Sequence, residues 1–250
     1  MDTRKRIVIV GATSTIAEHC ARLWLQKHAS DLILLGRDVQ RIERVATDLR
    51  VRSPQSDIQI VQAEFLAPEA IQAIVDSIVA QGEVDIVLIA HGSLPDQTNC
   101  QNSLVACRDE LEINGVSPVL YAEAFAQHMA KTNHGTIALI GSVAGDRGRK
   151  SNYVYGAAKG LLSRYAQGLQ HRFAGTGVAV VVIKPGPTDT LMTAHLKEQG
   201  QKLASVEGVA RQIVDGVEAG KAVIYTPAKW KLIMLVIMHI PNMIFNKINI

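Results

Sequence analysis

Short apolar runs rich in β-branched residues recur along this chain, separated by longer stretches of helical periodicity. The runs are Arg6–Val10, Leu32–Leu35, Asp57–Val61, Asp85–Ala90, Thr136–Ile140, Val178–Ile183 and Ala222–Tyr225. Most are apolar throughout rather than alternating, the pattern of strands covered on both faces. Such strands pair in parallel, and each crossover needs a helix-sized connection. Helices are expected near Ser14–His28, Val39–Val51, Pro68–Ala80, Leu104–Lys131, Tyr153–Ala174 and Ser205–Ala219. Strands and crossovers together consume nearly the whole chain, with no linker, repeat or low-complexity stretch. The expected fold class is α/β: a single doubly wound parallel sheet of about seven strands with helices on both faces. That domain would span 1–228, with 229–250 as an apolar helical extension.

Composition narrows the function classes. Apolar residues make up 48% of the 250 and charged residues 20%, enough for a sizeable core. A net charge of +3 without a long basic run gives no electrostatic footprint for nucleic acid. Cys20, Cys100 and Cys107 lie in no metal-ligand spacing and read as reduced thiols, so no metal is expected. Met1–Arg6 is polar and basic, and Ile7–Val10 is too short for a signal-peptide core, which points to a cytoplasmic protein.

Gly11 follows the first run, and Ala12, Thr13, Ser14, Thr15, Ile16 and Ala17 lead into a helix. A strand-to-helix turn of this kind lets backbone N–H groups and a helix N-terminus hold a pyrophosphate. Here only Gly11 is glycine, so the signal is eroded. The second run ends in Gly36, Arg37 and Asp38. An Arg there pairs with a 2′-phosphate, whereas an acidic residue accepts ribose hydroxyls. Arg37 favours NADPH over NADH, with Asp38 read as a helix N-cap. Glu64, Ala90, His91 and Gly92, after the third and fourth runs, would flank the adenine and its ribose.

Chemistry enters with Tyr155 and Lys159, four residues apart and therefore on one helical face. The ammonium is expected to draw the phenol pKa down from about 10. Ser142, thirteen residues upstream of Tyr155, would hold the carbonyl oxygen that Tyr155 protonates.

Together these residues resemble the short-chain dehydrogenase/reductase family, a Rossmann-type family, over residues 5 to about 225. The matching positions are Gly11–Ala17, Asn114, Ser142, Tyr155, Lys159 and the Lys184–Thr190 turn. The resemblance implies an NAD(P)-dependent oxidoreductase with Tyr155 as general acid and Ser142 as carbonyl clamp. Lys159 would bind the nicotinamide ribose, Asn114 would hold a relay water, and Pro185, Gly186, Thr188 and Thr190 would line the nicotinamide side. Thr15, Ala17 and the Ala90-His91-Gly92 turn depart from the family pattern and bear on cofactor affinity more than on chemistry.

After Thr190, where such proteins form a substrate lid, come Thr193–Glu198; His195 and Lys197 there suit an anionic substrate, or a solvated helix. Leu232–Met238 is continuously apolar, flanked by Lys229 and Lys231, and Met243, Ile244, Phe245, Ile248 and Ile250 continue it past Pro241. The run is too short to span a bilayer, which takes about 20 apolar residues. It suits a membrane interface or a subunit contact in a homo-oligomer. The lid 194–198, the basic stretch 147–156 and the ending 239–250 are similar to reductases that complete the epimerisation of polyprenyl-phosphoryl pentoses. That resemblance implies a lipid-linked ketosugar substrate, a flavin oxidase partner and peripheral contact with the inner face of the membrane. Arg147, Arg149 and Lys150 would face the lipid phosphate, or form a solvated loop. Two other readings stand beside it: a soluble reductase of a small or lipidic ketone, and a nucleotide-binding module that has lost catalysis.

Overall fold

The structure is a computed structural model that describes residues 4–28 and 30–248; Met1–Thr3 and Ile250 of the segments above lie outside it. Seven strands form one wholly parallel sheet: β1 (Lys5–Val10), β2 (Ser30–Gly36), β3 (Ile58–Gln62), β4 (Ile86–Ile89), β5 (Gly135–Ile140), β6 (Val178–Pro185) and β7 (Val223–Thr226). Their order is β3-β2-β1-β4-β5-β6-β7, so the chain reverses direction between β1 and β4. At such a switch point the connections diverge to opposite faces and leave a crevice at the carboxyl ends of the strands.

The helices are α1 (Thr15–Lys27), α2 (Val39–Arg52), α3 (Pro68–Val79), α4 (Gln97–Asn102), α5 (Leu104–Leu111), α6 (Ser117–Thr132), α7 (Tyr153–Arg172), α8 (Ala194–Glu198), α9 (Val206–Glu218), α10 (Lys229–His239) and α11 (Asn242–Phe245). Residues from α1, α2 and α9, including Trp24, Leu49 and Ile213, pack on one face of the sheet. Residues from α3, α6 and α7, including Ile71, Phe125 and Leu162, pack on the other. Successive strand residues feed these two cores alternately: Ile7 and Ile9 the first, Val8 and Val10 the second. That explains why the strand centres are apolar on both faces rather than alternating.

One expected helix is not a single helix. The stretch Leu104–Lys131 divides into α5, a π-helical turn at Glu112–Val116 and α6, with the unanticipated α4 ahead of it. Helical periodicity runs through all of these pieces, so the break leaves almost no mark on the apolar pattern.

Candidate active site

The carboxyl ends of β1, β4, β5 and β6 carry the site. Gly11 closes the first turn at φ +86°, and its N–H and that of Ala12 both donate to Leu35 O at 2.9 Å. A Cβ at Gly11 would lie 2.6 Å from the His91 backbone nitrogen, so the β1 and β4 turns touch only because this residue is glycine. Thr13, Ser14, Thr15 and Ile16 line the partly open continuation, and the Ser14 side chain leaves the N-terminus of α1 uncapped. An open cleft of about 480 Å³ separates Thr15 from Asp189, Thr190, Leu191, Ala194, Lys197 and Glu198. A free helix N-terminus above a glycine cradle fits a dinucleotide pyrophosphate, despite the missing glycines.

Around the cleft the expected cofactor positions fare differently. Arg37 is exposed, with its guanidinium 5.8 Å from the Phe65 ring centre. Asp38 caps α2, accepting from Arg41 N at 3.0 Å. Exposed Glu64 accepts from Leu66 N at 2.9 Å and Phe65 N at 2.8 Å, which holds its carboxyl below the usual range. His91 is a buried imidazole beside Phe65 and Tyr121. Its Nε2 pairs with Ser117 Oγ at 2.9 Å, while Nδ1 has no protein partner. Burial, and then the charges of Lys159 and Arg37, drive its pKa down to about 3. Such a ring stays neutral at physiological pH and is unsuited to act as a base.

Four segments converge on Lys159. Its ammonium donates to Ile140 O at 3.1 Å, and a Cβ on Gly92 would come within 3.5 Å of it. Ser142 follows β5 and accepts from Ala144 N at 3.1 Å, opening a short 3-10 turn. Its hydroxyl also favours the ionised form of the Tyr155 phenol. Gly145 ends that turn directly against the backbone of Lys159, where a Cβ would meet the carbonyl carbon at 2.6 Å. Asn114 sits fully buried in the π-turn; its Oδ1 accepts from Ser93 N at 2.9 Å and its Nδ2 donates to Glu110 Oε2 at 2.9 Å. Ser93 in turn donates to Glu110. The Ser93–Glu110 brace escaped the sequence reading, because neither residue stands in a recognisable motif with Asn114.

The electrostatics correct one expectation. The phenol of Tyr155 is not drawn below 10: burial pushes it up to about 12, only partly opposed by the Ser142 hydrogen bond. Lys159 is itself desolvated, its pKa lowered to about 8, and its Nζ lies 5.7 Å from the Tyr155 ring centre. The pair holds a protonated phenol beside a weakened ammonium.

The residues expected at the substrate end also divide. Arg147 is not free to meet a phosphate, which corrects that expectation. Its guanidinium donates to Ile237 O at 2.5 Å, Ile240 O at 2.6 Å and Asn242 Oδ1 at 2.9 Å, and lies 3.7 Å from the Phe245 ring centre. Arg149 is partly buried, with Nη2 on Met234 Sδ at 3.5 Å and Nε without a partner. Lys197 is paired with Asp189 at 2.6 Å, and His195 is exposed on α8. Thr188 is buried and donates to Gly186 O at 2.9 Å; Thr190 forms a capping box with Thr193. Pro185 ends β6 and Gly186 follows it, where the Trp230 indole lies so close that a Cβ on Gly186 would fall 1.9 Å from its nitrogen. Beneath them Lys184 pairs with Asp146 at 2.5 Å, and Tyr225 donates to the same carboxylate at 2.8 Å. This buried ion pair ties the segment after Ser142 to the β6 turn. Sequence alone gave no pairing for residues so far apart.

A glycine cradle at the switch point and a Ser, Tyr and Lys set at the next strand ends define an NAD(P)-dependent oxidoreductase. The family model described as short chain dehydrogenase matches residues 5–201, and the chain belongs to that family. An uncharacterised oxidoreductase of Streptomyces coelicolor is 27% identical over 245 residues, covering 98% of this chain and 96% of that protein. A short-chain dehydrogenase from Sphingobium yanoikuyae in complex with NADPH superposes with a TM-score of 0.82 at 21% identity, covering 95% and 97% of the two chains. The bulky-bulky ketone specific alcohol dehydrogenase of Comamonas testosteroni superposes at 0.79 with 20% identity, covering 95% of each chain.

Proposed function

We propose that the protein reduces a ketone with NAD(P)H, using Tyr155 as the proton donor. The observation that carries this reading is the meeting of Ser142, Tyr155, Lys159 and Asn114 at one buried point beside the glycine turn. A bound nicotinamide supplies the hydride for the carbonyl carbon. The chain's own residues manage the oxygen: Ser142 holds it by a hydrogen bond, and Tyr155 gives it the phenolic proton. A phenol near 12 is a proton reservoir at neutral pH, and Lys159, charged below about 8, favours the phenolate left behind. Asn114, braced by Ser93 and Glu110, would hold the water through which Lys159 returns that proton to Tyr155. Arg37 supports NADPH as the preferred cofactor, since its exposed guanidinium stands at the end of β2 where a 2′-phosphate would lie.

For the substrate we infer the 2-keto group of a polyprenyl-phosphoryl pentose, reduced to the arabinose epimer. A flavin oxidase would supply the ketone, and the protein would work at the cytoplasmic face of a bilayer. The exposed lid residues His195 and Lys197 and the exposed apolar tail support this. The second reading is a soluble reductase of a small or lipidic ketone, with the tail used for dimerisation.

NADPH oxidation with a polyprenyl-phosphoryl 2-ketopentose generated by a flavin oxidase tests the substrate; no arabinosyl lipid product rejects it. Tyr155→Phe tests the chemistry on any accepted ketone. Turnover should fall by at least about 10²-fold with NADPH affinity retained, and wild-type turnover in that variant removes Tyr155 from the mechanism.

A further inference from the structure

The tail is apolar nearly all round, yet the protein covers only one stripe of it. In α10, Met234 is buried and Trp230 and Ile237 are partly covered, a row spaced four and three residues apart. Leu232, Ile233, Leu235, Val236 and Met238 are exposed, as are Met243, Ile244 and Ile248 beyond Pro241. These eight are close to half of the nineteen large hydrophobics exposed among the described residues, gathered into 17 positions. A helix this apolar normally has its other faces covered, and a patch this dense marks a contact.

Charge identifies the occupant. Lys229, Lys231 and Lys247 are the only Lys or Arg residues in 229–250, and the segment has no Asp or Glu. Removing them from the totals leaves 23 basic against 23 acidic residues, so the whole formal charge of +3 sits in the tail. A two-fold contact between copies of this segment would bring lysines together with no carboxylate of its own to answer them. An anionic lipid surface answers both the apolar residues and the cationic rim.

We propose that α10 and α11 dock on an anionic bilayer, with the covered stripe fixing the substrate cleft at the membrane surface. The helix reaches only about 16 Å, so it lies in the interface rather than crossing it. Among the described residues no helix is long and apolar enough to cross. Orientation follows from the anchors. Trp230 sits on Gly186, Met234 on Arg149, and the carbonyls ending α10 on Arg147. All three partners belong to loops at the carboxyl edge of the sheet, the edge that holds Ser142 and the cleft. Leu191 and Met192, exposed at the start of the lid, leave from the same edge. This surface deepens the lipid-substrate reading, on which its purpose rests. Its test uses no substrate, so the two fail separately.

The test is co-sedimentation of the full chain with vesicles of equal phosphatidylcholine and phosphatidylglycerol, against phosphatidylcholine alone, with gel filtration in parallel. Wild type should sediment with the anionic vesicles and less so at high salt. Each lysine contributes about fivefold in partition, so Lys229→Gln, Lys231→Gln and Lys247→Gln together should weaken binding on the order of 100-fold. Leu232→Glu with Leu235→Glu should abolish binding without lowering the unfolding temperature, because both side chains are exposed. Binding that survives the double variant overturns the assignment of this surface. A wild type that ignores both vesicle types overturns the lipid; if it also elutes as a dimer that the double variant splits, the occupant is a second copy.

Discussion

Helices α7 and α10 reverse the usual relation between apolar content and burial. The sequence of α10 is the more apolar, yet α10 buries one residue, Met234, while α7 buries eight. Small residues account for the difference. Gly145 meets the backbone of Lys159, Gly115 approaches Ala158, and Gly156 approaches Ala144 O, so α7 is gripped along its backbone. The tail is held instead by single side chains crossing the junction in each direction: Arg147 of the body on its terminal carbonyls, and its own Trp230 on Gly186. The first arrangement suits residues that must stay fixed relative to one another. The second suits an element whose other faces have business elsewhere.

Adding one methyl at each junction tests that contrast most severely. Gly145→Ala places Cβ 2.6 Å from backbone, and neither neighbour can give way. It should cost about 3 kcal/mol and lower the unfolding temperature by about 6–12 °C. Gly186→Ala meets a side chain, Trp230, so the tail should lift while the sheet and its helices hold. The main transition should move by less than about 4 °C, with residues 229–248 becoming open to proteolysis. Equal losses in thermal scans would show that tail and body form one cooperative unit.

His91 sharpens the comparison next, since it belongs to the gripped region. Its folded pKa, about 3, lies below the ordinary 6.5, so the unfolded chain takes up a proton first as pH falls. The stability due to neutral His91 is complete above 6.5 and drains away toward 3, by about 1.4 kcal/mol per pH unit. In urea titrations at pH 7 and pH 5, wild type should therefore lose about 2 kcal/mol more than His91→Gln. Parallel losses in the two proteins would mean that the ring is hydrated.

The smallest effect belongs to Arg147→Ala, which leaves the carbonyls ending α10 without their cation. A loss of about 1 kcal/mol confined to the tail is expected. It should appear as roughly fivefold faster amide exchange near 237–242 with the main transition unmoved. Unchanged exchange would place the anchor at Trp230 alone.

The sheet was legible because fully covered parallel strands announce themselves by uninterrupted β-branched runs, and each run lies within a residue or two of its strand. Ser142, Tyr155 and Lys159 were legible because their spacing is set by one strand end and one helical turn. What escaped depends on distance in the chain or on desolvation. Arg147 meets carbonyls ninety or more residues later, which no local pattern encodes. The elevated phenol of Tyr155 reflects desolvation of the folded site, whereas its spacing to Lys159 announced only the nearby charge. The split of the 104–131 stretch escaped because a π-turn keeps helical composition while changing hydrogen-bond partners.

That π-turn has a consequence for insertions and deletions. An α-helix advances about 100° per residue, so the extra residue at Glu112–Val116 acts as a phase shift between two helical faces. Ahead of it, Glu110 is set to brace Asn114; behind it, Tyr121, Phe125 and Met129 are set into the core. Deleting any one of the four residues that flank Asn114 in the turn would restore a regular helix and put these two faces out of step. The chain could then keep its core or its braced asparagine, but not both.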